Sequence, residues 1–242
     1  SAYAINPVTG TLNGLGGTFP VNNLANEFMF DPSGSFAYII NFQTEQHTWQ
    51  QMNAYTVNKL TGALTANVPG SPYTSFSYPQ SVTFDPAGKF MLMIEAGIHS
   101  VAVLSIDPTT GALTPVPGSP FAAQNQASNM TIDPTGSFVY VASYDMWATC
   151  TVTGFAFNET TGALTPIPGA SVGAGSRTNS LFVDPTGKYL YVMNGGEGDP
   201  GTQTVSIFII NPVTGALTQV AGSPFGVNFN TGGTTRVNYT VK

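Results

Sequence analysis

Asp184-Pro185-Thr186-Gly187-Lys188-Tyr189-Leu190-Tyr191-Val192 reads as a tight turn running into a strand, and the chain repeats it. Asp31-Pro32-Ser33-Gly34-Ser35-Phe36, Asp85-Pro86-Ala87-Gly88-Lys89-Phe90 and Asp133-Pro134-Thr135-Gly136-Ser137-Phe138 are the other copies, and successive aspartates lie 54, 48 and 51 residues apart. In such a turn Asp accepts backbone N–H bonds, Pro pre-sets φ at the second position and Gly relieves the fourth. One unit is therefore about fifty residues long.

A second mark alternates with the first: Thr9-Gly10, Thr61-Gly62, Thr110-Gly111, Thr161-Gly162 and Thr214-Gly215, each with Leu two residues on. Each follows an apolar run ending in Asn or Asp, such as Val101 to Asp107 or Val205 to Asn211, and leads into Pro-Gly-Ser-Pro or a relative of it. Each unit thus holds four strands. In the second unit A is Ser81 to Phe84, B is Phe90 to Ile94, C is Val101 to Ile106 and D is Ala112 to Val116. A repeat of this length with four short antiparallel strands predicts a propeller blade. Strand A supports it: one and three residues before the aspartate stand Phe30 and Phe28, Phe84 and Val82, Ile132 and Met130, Val183 and Leu181, the period of a strand packed between neighbours.

The expected fold is all-β, a single β-propeller domain over residues 1–242, with blades at about 24–72, 78–120, 127–169 and 178–225. The two ends supply a fifth, composite blade from 1–17 plus 234–242. Ala2 to Gly10 aligns with the strand C of Ile207 to Gly215, and Tyr239 and Val241 fall into the two apolar slots of a strand A. Strand B of that blade is missing, which leaves an assembly edge at Tyr3, Ile5, Val237, Tyr239 and Val241. Unpaired ladder edges invite another strand. Donation by a neighbouring subunit, a truncated sequence and direct closure of C on A all account for the gap.

Charged residues make up 7% of the chain, against roughly 25% in an ordinary domain. The wettable surface must come from Asn, Thr, Ser and Gln, which suits an extracellular or cell-surface protein. A net charge of −6 without any Lys/Arg cluster gives no footprint for nucleic acid. No apolar run reaches the length of a membrane helix, so membrane insertion is not expected. Cys150 is the only cysteine and reads as a small buried filler. The absence of Met at position 1 fits a removed leader or an arbitrary boundary equally.

The repeated Asp-Pro-x-Gly-x-aromatic and Thr-Gly-x-Leu marks, with Pro-Gly-Ser-Pro around Ser71 and Ser119 and an Ala-Gly version around Ser223, resemble the lactonase-type β-propellers, related to 6-phosphogluconolactonases and YVTN-repeat surface proteins. The resemblance spans nearly the whole chain and implies lactone hydrolysis in a central channel. Members usually have seven blades, against material for about five here. It also implies a Pro-His pair opening strand A. The matching positions are Asn26, Gln80, Ser128 and Asn179, with Pro79-Gln80 in place of Pro-His; Arg177 joins them as a channel-lining candidate.

Other chemistry is sparse. His47 and His99 fall in B-to-C connections, near Glu45 and Glu95, and read as loop residues away from the channel. The four turn aspartates look like a carboxylate ring but are accounted for by capping their turns. Glu197 and Asp199 form a weak Ca²⁺ candidate in an acidic loop, two carboxylates being few for such a cage. Of the sequons at Asn129, Asn158 and Asn238, Asn158 is the accessible glycosylation candidate. Trp49, Trp147 and Tyr144 offer a sugar-stacking surface or ordinary packing between blades. No cofactor or metal motif is present. With amides where imidazole would stand, the sequence favours a secreted non-catalytic structural unit that self-associates, even into filaments, by strand donation. Lactone hydrolysis and glycan binding are the alternatives.

Overall fold

The computed structural model describes residues 3–14, 24–43, 49–144, 149–195 and 203–227. Almost all ordered structure among them is strand. A two-stranded sheet pairs β1 (Tyr3–Ile5) with β2 (Leu12–Gly14). Four antiparallel sheets follow. The first holds β3 (Leu24–Phe30), β4 (Phe36–Gln43), β5 (Trp49–Val57) and β6 (Leu64–Thr65). The second holds β7 (Pro79–Phe84), β8 (Phe90–Glu95), β9 (Ser100–Ile106) and β10 (Leu113–Pro115), with β11 (Phe121–Ala122) returning to pair with β9. The third holds β12 (Ala127–Ile132), β13 (Phe138–Ser143), β14 (Thr151–Phe157) and β15 (Leu164–Gly173). The fourth holds β16 (Thr178–Val183), β17 (Tyr189–Asn194), β18 (Thr204–Ile210) and β19 (Leu217–Gln219), with β20 (Phe225–Gly226) on β18. Antiparallel four-stranded sheets repeated in this way are those of a β-propeller.

The turns form as their residues dictate. Asp85 accepts the N–H of Phe90 on Oδ1 at 2.6 Å and that of Ala87 on Oδ2 at 3.2 Å, while its carbonyl accepts Gly88 N–H at 2.9 Å. Asp31, Asp133 and Asp184 repeat the pattern. A carboxylate receiving several N–H groups is a strong, charge-assisted cap, so these aspartates serve their own turns. The Thr-Gly turns use Asn58, Asp107, Asn158 and Asn211, whose side-chain oxygens accept the N–H groups two and three residues on. The serine of Pro-Gly-Ser-Pro also has a defined task. Ser71, Ser119 and Ser223 accept strand N–H groups from Ala54, Val103 and Ile207 at 2.8–2.9 Å. The third blade has buried Ala170 at that position and a longer β15 ladder on β14 instead.

Strand D is shorter than the sequence suggests, two or three residues in three of the blades. The outer edge compensates through β11 and β20, which pair back onto strand C.

The chain forms two compact units, one of residues 1–77 with 106–114 and one of residues 78–105 with 115–242. In the first, the hairpin tip at 106–114 is held by Tyr38, whose hydroxyl donates to Gly111 O at 2.8 Å, and by Tyr73, whose hydroxyl accepts Leu113 N–H at 2.9 Å. In the second, strands A lie side by side, β12 against both β7 and β16. One core there joins Phe90, Leu92, Ile94, Val101 and Val103 to Met130, Val139, Val141 and Phe155. Another joins Phe138, Tyr140 and Ala142 to Leu181, Leu190, Val192 and Phe208.

Candidate functional site

In the second unit every strand A begins in the same unusual way. Tyr78, Gln126 and Arg177 have φ of +54°, +58° and +53°, in the left-handed region. Their carbonyls accept N–H groups of Ala96, Tyr144 and Gly195, the residues just past strand B, at 3.0, 2.9 and 3.1 Å. The peptide therefore folds back at this point, and an L-residue with a Cβ is held where glycine would be cheaper by about 1 kcal/mol or more.

A β-bulge comes next. The ladder slips between Gln80 and Val82, between Ala127 and Asn129 and between Thr178 and Ser180, as it does in β3 between Ala25 and Glu27. Bulges re-aim side chains and cluster beside active sites. Here they bring half-buried Gln80, Ser81, Ser128, Asn129, Asn179 and Ser180 to the leading end of three adjacent strands. Ser81 Oγ accepts Met130 N–H at 3.0 Å and so joins one strand A to the next.

In each strand B a residue at or near the end is polar and buried: Asn41, two residues before the end of β4, and Glu95, Ser143 and Asn194, the last residues of β8, β13 and β17. They pair in register with Ala25, Pro79, Ala127 and Thr178. Glu95 is the one carboxylate among the four. Asn194 is the best connected, with Nδ2 donating to Ser206 Oγ at 2.9 Å and Thr204 Oγ1 at 3.2 Å, and Oδ1 accepting from the Thr178 hydroxyl at 3.4 Å. Buried polar groups need such partners.

The structure distributes the expected residues as follows. Ser128 and Asn179 are the unpaired bulge residues of β12 and β16, and Asn26 holds that backbone position in β3. In β7 the bulge has moved by one, so Gln80 pairs with Ile94 and Ser81 is the odd residue. The Asn179 amide donates to Gly195 O, and Ser128 Oγ approaches Ala142 O at 3.4 Å. Arg177 stands two residues before the bulge, and among the described residues it is the cation at this end: Lys59, Lys89 and Lys188 sit in the turns.

His99 is an exposed residue of the connection after β8, as expected, but it reaches the start of the next strand A. It caps a short 3-10 turn after β8 with φ +54°, and its carbonyl accepts Ala123 N–H at 2.9 Å. Its Nδ1 accepts Gln126 N–H at 3.4 Å. The imidazole therefore lies against the start of the next strand A, and in its neutral form carries its proton on Nε2. A loop of one blade touching the start of the next is not legible from spacing.

Cys150 is fully buried, its Sγ accepting Thr178 N–H at 3.4 Å. Asn158 is exposed in a Thr-Gly turn and Asn129 is half-buried in β12. Tyr3 and Ile5 are exposed in β1. His47, Glu45, Trp147, Glu197, Asp199, Asn238 and the edge residues Val237, Tyr239 and Val241 lie outside the described residues, as does the side chain of Trp49.

Comparison with known proteins adds the following. Residues 115–229 match the family described as "Lactonase, 7-bladed beta-propeller". A Bacteroides fragilis protein described as a candidate 6-phosphogluconolactonase aligns at 20% identity with a TM-score of 0.70, over 93% of this chain and 64% of its own. A Pseudomonas aeruginosa periplasmic gluconolactonase aligns at 19% identity and a TM-score of 0.64, over 90% and 62%. A Lactobacillus plantarum protein does so at 20% and 0.64, over 93% and 65%. The chain thus spans less than two thirds of the length of these three proteins. None of the curated proteins matches. The resemblance to lactonase-type propellers holds. The expectation of a non-catalytic structural unit does not: the lactonase match and its gluconolactonase neighbours favour the hydrolase reading. The absence of a Pro-His pair misled it, because the imidazole that reaches the start of a strand A comes from His99 in the connection after β8 and not from strand A itself.

Proposed function

We propose that the protein is a lactone hydrolase whose site is the leading end of strands A in the second unit. The observation that carries this reading is that the lactonase match over residues 115–229 contains both Gln126 and Arg177, two of the three residues held left-handed at that end.

Ring-opening of a lactone needs a polarised carbonyl, a water molecule and a proton for the departing ring oxygen. The guanidinium of Arg177 is a permanent donor suited to charge developing on the carbonyl oxygen. His99, held through Nδ1 by the Gln126 N–H, offers Nε2–H as a hydrogen bond to the leaving ring oxygen, which receives by way of solvent the proton that the attacking water gives up as the acyl C–O bond breaks. The hydroxyl and amide groups of Ser128, Asn129 and Ser180 supply partners for substrate hydroxyls. A periplasmic neighbour supports export, in keeping with the charge-poor composition.

The test is pH-stat titration of acid released from δ-gluconolactone, corrected for spontaneous opening. Enzyme-dependent release that falls about a hundredfold in Arg177→Ala is expected. No release above background with the folded protein would overturn the proposal.

A further inference from the structure

At most repeated positions of this chain, side chain and backbone agree. The turn aspartates are Asp because the turn wants Asp, and the left-handed turn positions such as Gly111, Gly162 and Gly215 are Gly because their φ is near +70°. The start of strand A breaks this pattern. The backbone repeats there, with φ between +53° and +58° three times, but the residues are Tyr78, Gln126 and Arg177. None favours that conformation, and no two are alike. A position where strained geometry is kept and the side chain varies is one where the side chains serve something other than the geometry.

We propose that Tyr78, Gln126 and Arg177 are the specificity-determining residues of the site and together grip a hydroxylated six-membered ring. This rests on the lactone hydrolase reading and assigns its substrate contacts. The three residues begin strands that are direct neighbours, β7, β12 and β16, so they occupy one edge. Their chemistry divides as a sugar lactone requires. Tyr78, with 42% of its surface exposed, presents an aromatic face to the C–H face of the ring. Gln126 offers a donor and an acceptor to vicinal hydroxyls. Arg177 takes the carbonyl end, where the guanidinium fork fits an ester oxygen or the carboxylate formed from it. His99 on the N–H of Gln126 places an Nε2–H hydrogen-bond donor beside the same ring. The substrate class that follows is an unphosphorylated aldonolactone, since Arg177, the one cation at this end among the described residues, does not balance a phosphate dianion.

Glycine substitution tests this cleanly, because glycine adopts positive φ without strain and so separates fold from recognition. Tyr78→Gly, Gln126→Gly and Arg177→Gly are compared with the wild type in three measurements: thermal melting, KM for δ-gluconolactone, and calorimetric binding of D-glucono-δ-lactam, a ring isostere that is not hydrolysed. The expected result is melting at or above the wild-type temperature with lactam affinity and KM each worsened roughly tenfold per variant. Unchanged lactam binding in all three variants would overturn the assignment, as would lowered melting, which would make these side chains supports of the fold. Wild-type protein that binds the lactam through these residues yet opens no lactone would leave the recognition edge standing and remove the hydrolase. Protein that does neither would remove both.

Discussion

The hydroxyl of Tyr140 donates to the carbonyl oxygen of Gly215 at 2.9 Å, across 75 residues of sequence. Tyr38 and Gly111 make the same bond in the other unit, 73 residues apart at 2.8 Å. In each case a strand-B tyrosine of one blade bonds the Thr-Gly turn of the next, so a fully buried side chain ties the hairpin tip to a neighbour's core. Burial pushes the phenol of Tyr140 well above its ordinary value of 10.0, and the charge of Asp133 pushes the same way. A raised pKa means that stability is fully present below the unfolded value and declines as pH rises above about 10. Tyr140→Phe is expected to cost about 1 kcal/mol near neutral pH and to flatten the alkaline decline. Urea unfolding at a series of pH values measures both.

Gly215 itself allows a sharper test of the same joint. Its φ is +69°, and a Cβ there would lie 2.4 Å from Phe138 Cδ1 and 2.6 Å from Ile167 Cδ1. Gly10 has nearly the same φ, +70°, with nothing within 4 Å of an added Cβ. Gly215→Ala combines backbone strain with overpacking and is expected to cost about 3–4 kcal/mol, whereas Gly10→Ala carries strain alone at about 1 kcal/mol. Equal losses in the two variants, by thermal or urea unfolding, would show that the wall of Phe138 and Ile167 around Gly215 yields.

Asp184 sets the acid side. Burial alone would raise its pKa, but hydrogen bonds from the Thr186 hydroxyl and the N–H groups of Tyr189, Thr186 and Lys188 outweigh that and hold it below 3.8. A lowered pKa brings stability that is present above the unfolded value and lost as pH falls through the folded one. Asp184→Asn should therefore lose stability at neutral pH, by about 1–2 kcal/mol, while its own acid decline becomes shallower.

What the sequence reveals and what it hides follow one physical distinction. Asp-Pro-x-Gly and Thr-Gly are legible because each residue there is chosen by the local backbone, and the period-two apolar slots of strand A are legible because they face neighbouring blades. The left-handed Tyr78, Gln126 and Arg177 carry no such local signature. The one available signal is positional, since each stands seven residues before its turn aspartate, at 85, 133 and 184. The one-residue shift of the bulge from Gln80 to Ser81 depends on tertiary pairing, as does the approach of His99 to Gln126.

Asn194 connects the buried layer to that edge. Its side chain joins Thr178, Thr204 and Ser206, and Thr178 directly follows Arg177 while its N–H is received by Cys150. Gly175 leaves the room this arrangement needs, since a Cβ there would meet Asn194 Nδ2 at 2.6 Å. Asn194→Ala removes a donor and an acceptor from buried hydroxyls, with an expected loss of about 2–3 kcal/mol. If the network also holds Arg177 in place, KM for δ-gluconolactone should rise several-fold in the folded fraction. Asn194→Gln, which keeps the amide but is longer by one methylene, should fail to restore it. A KM identical to that of the wild type in folded Asn194→Ala would confine Asn194 to stability and leave Arg177 positioned by its own backbone.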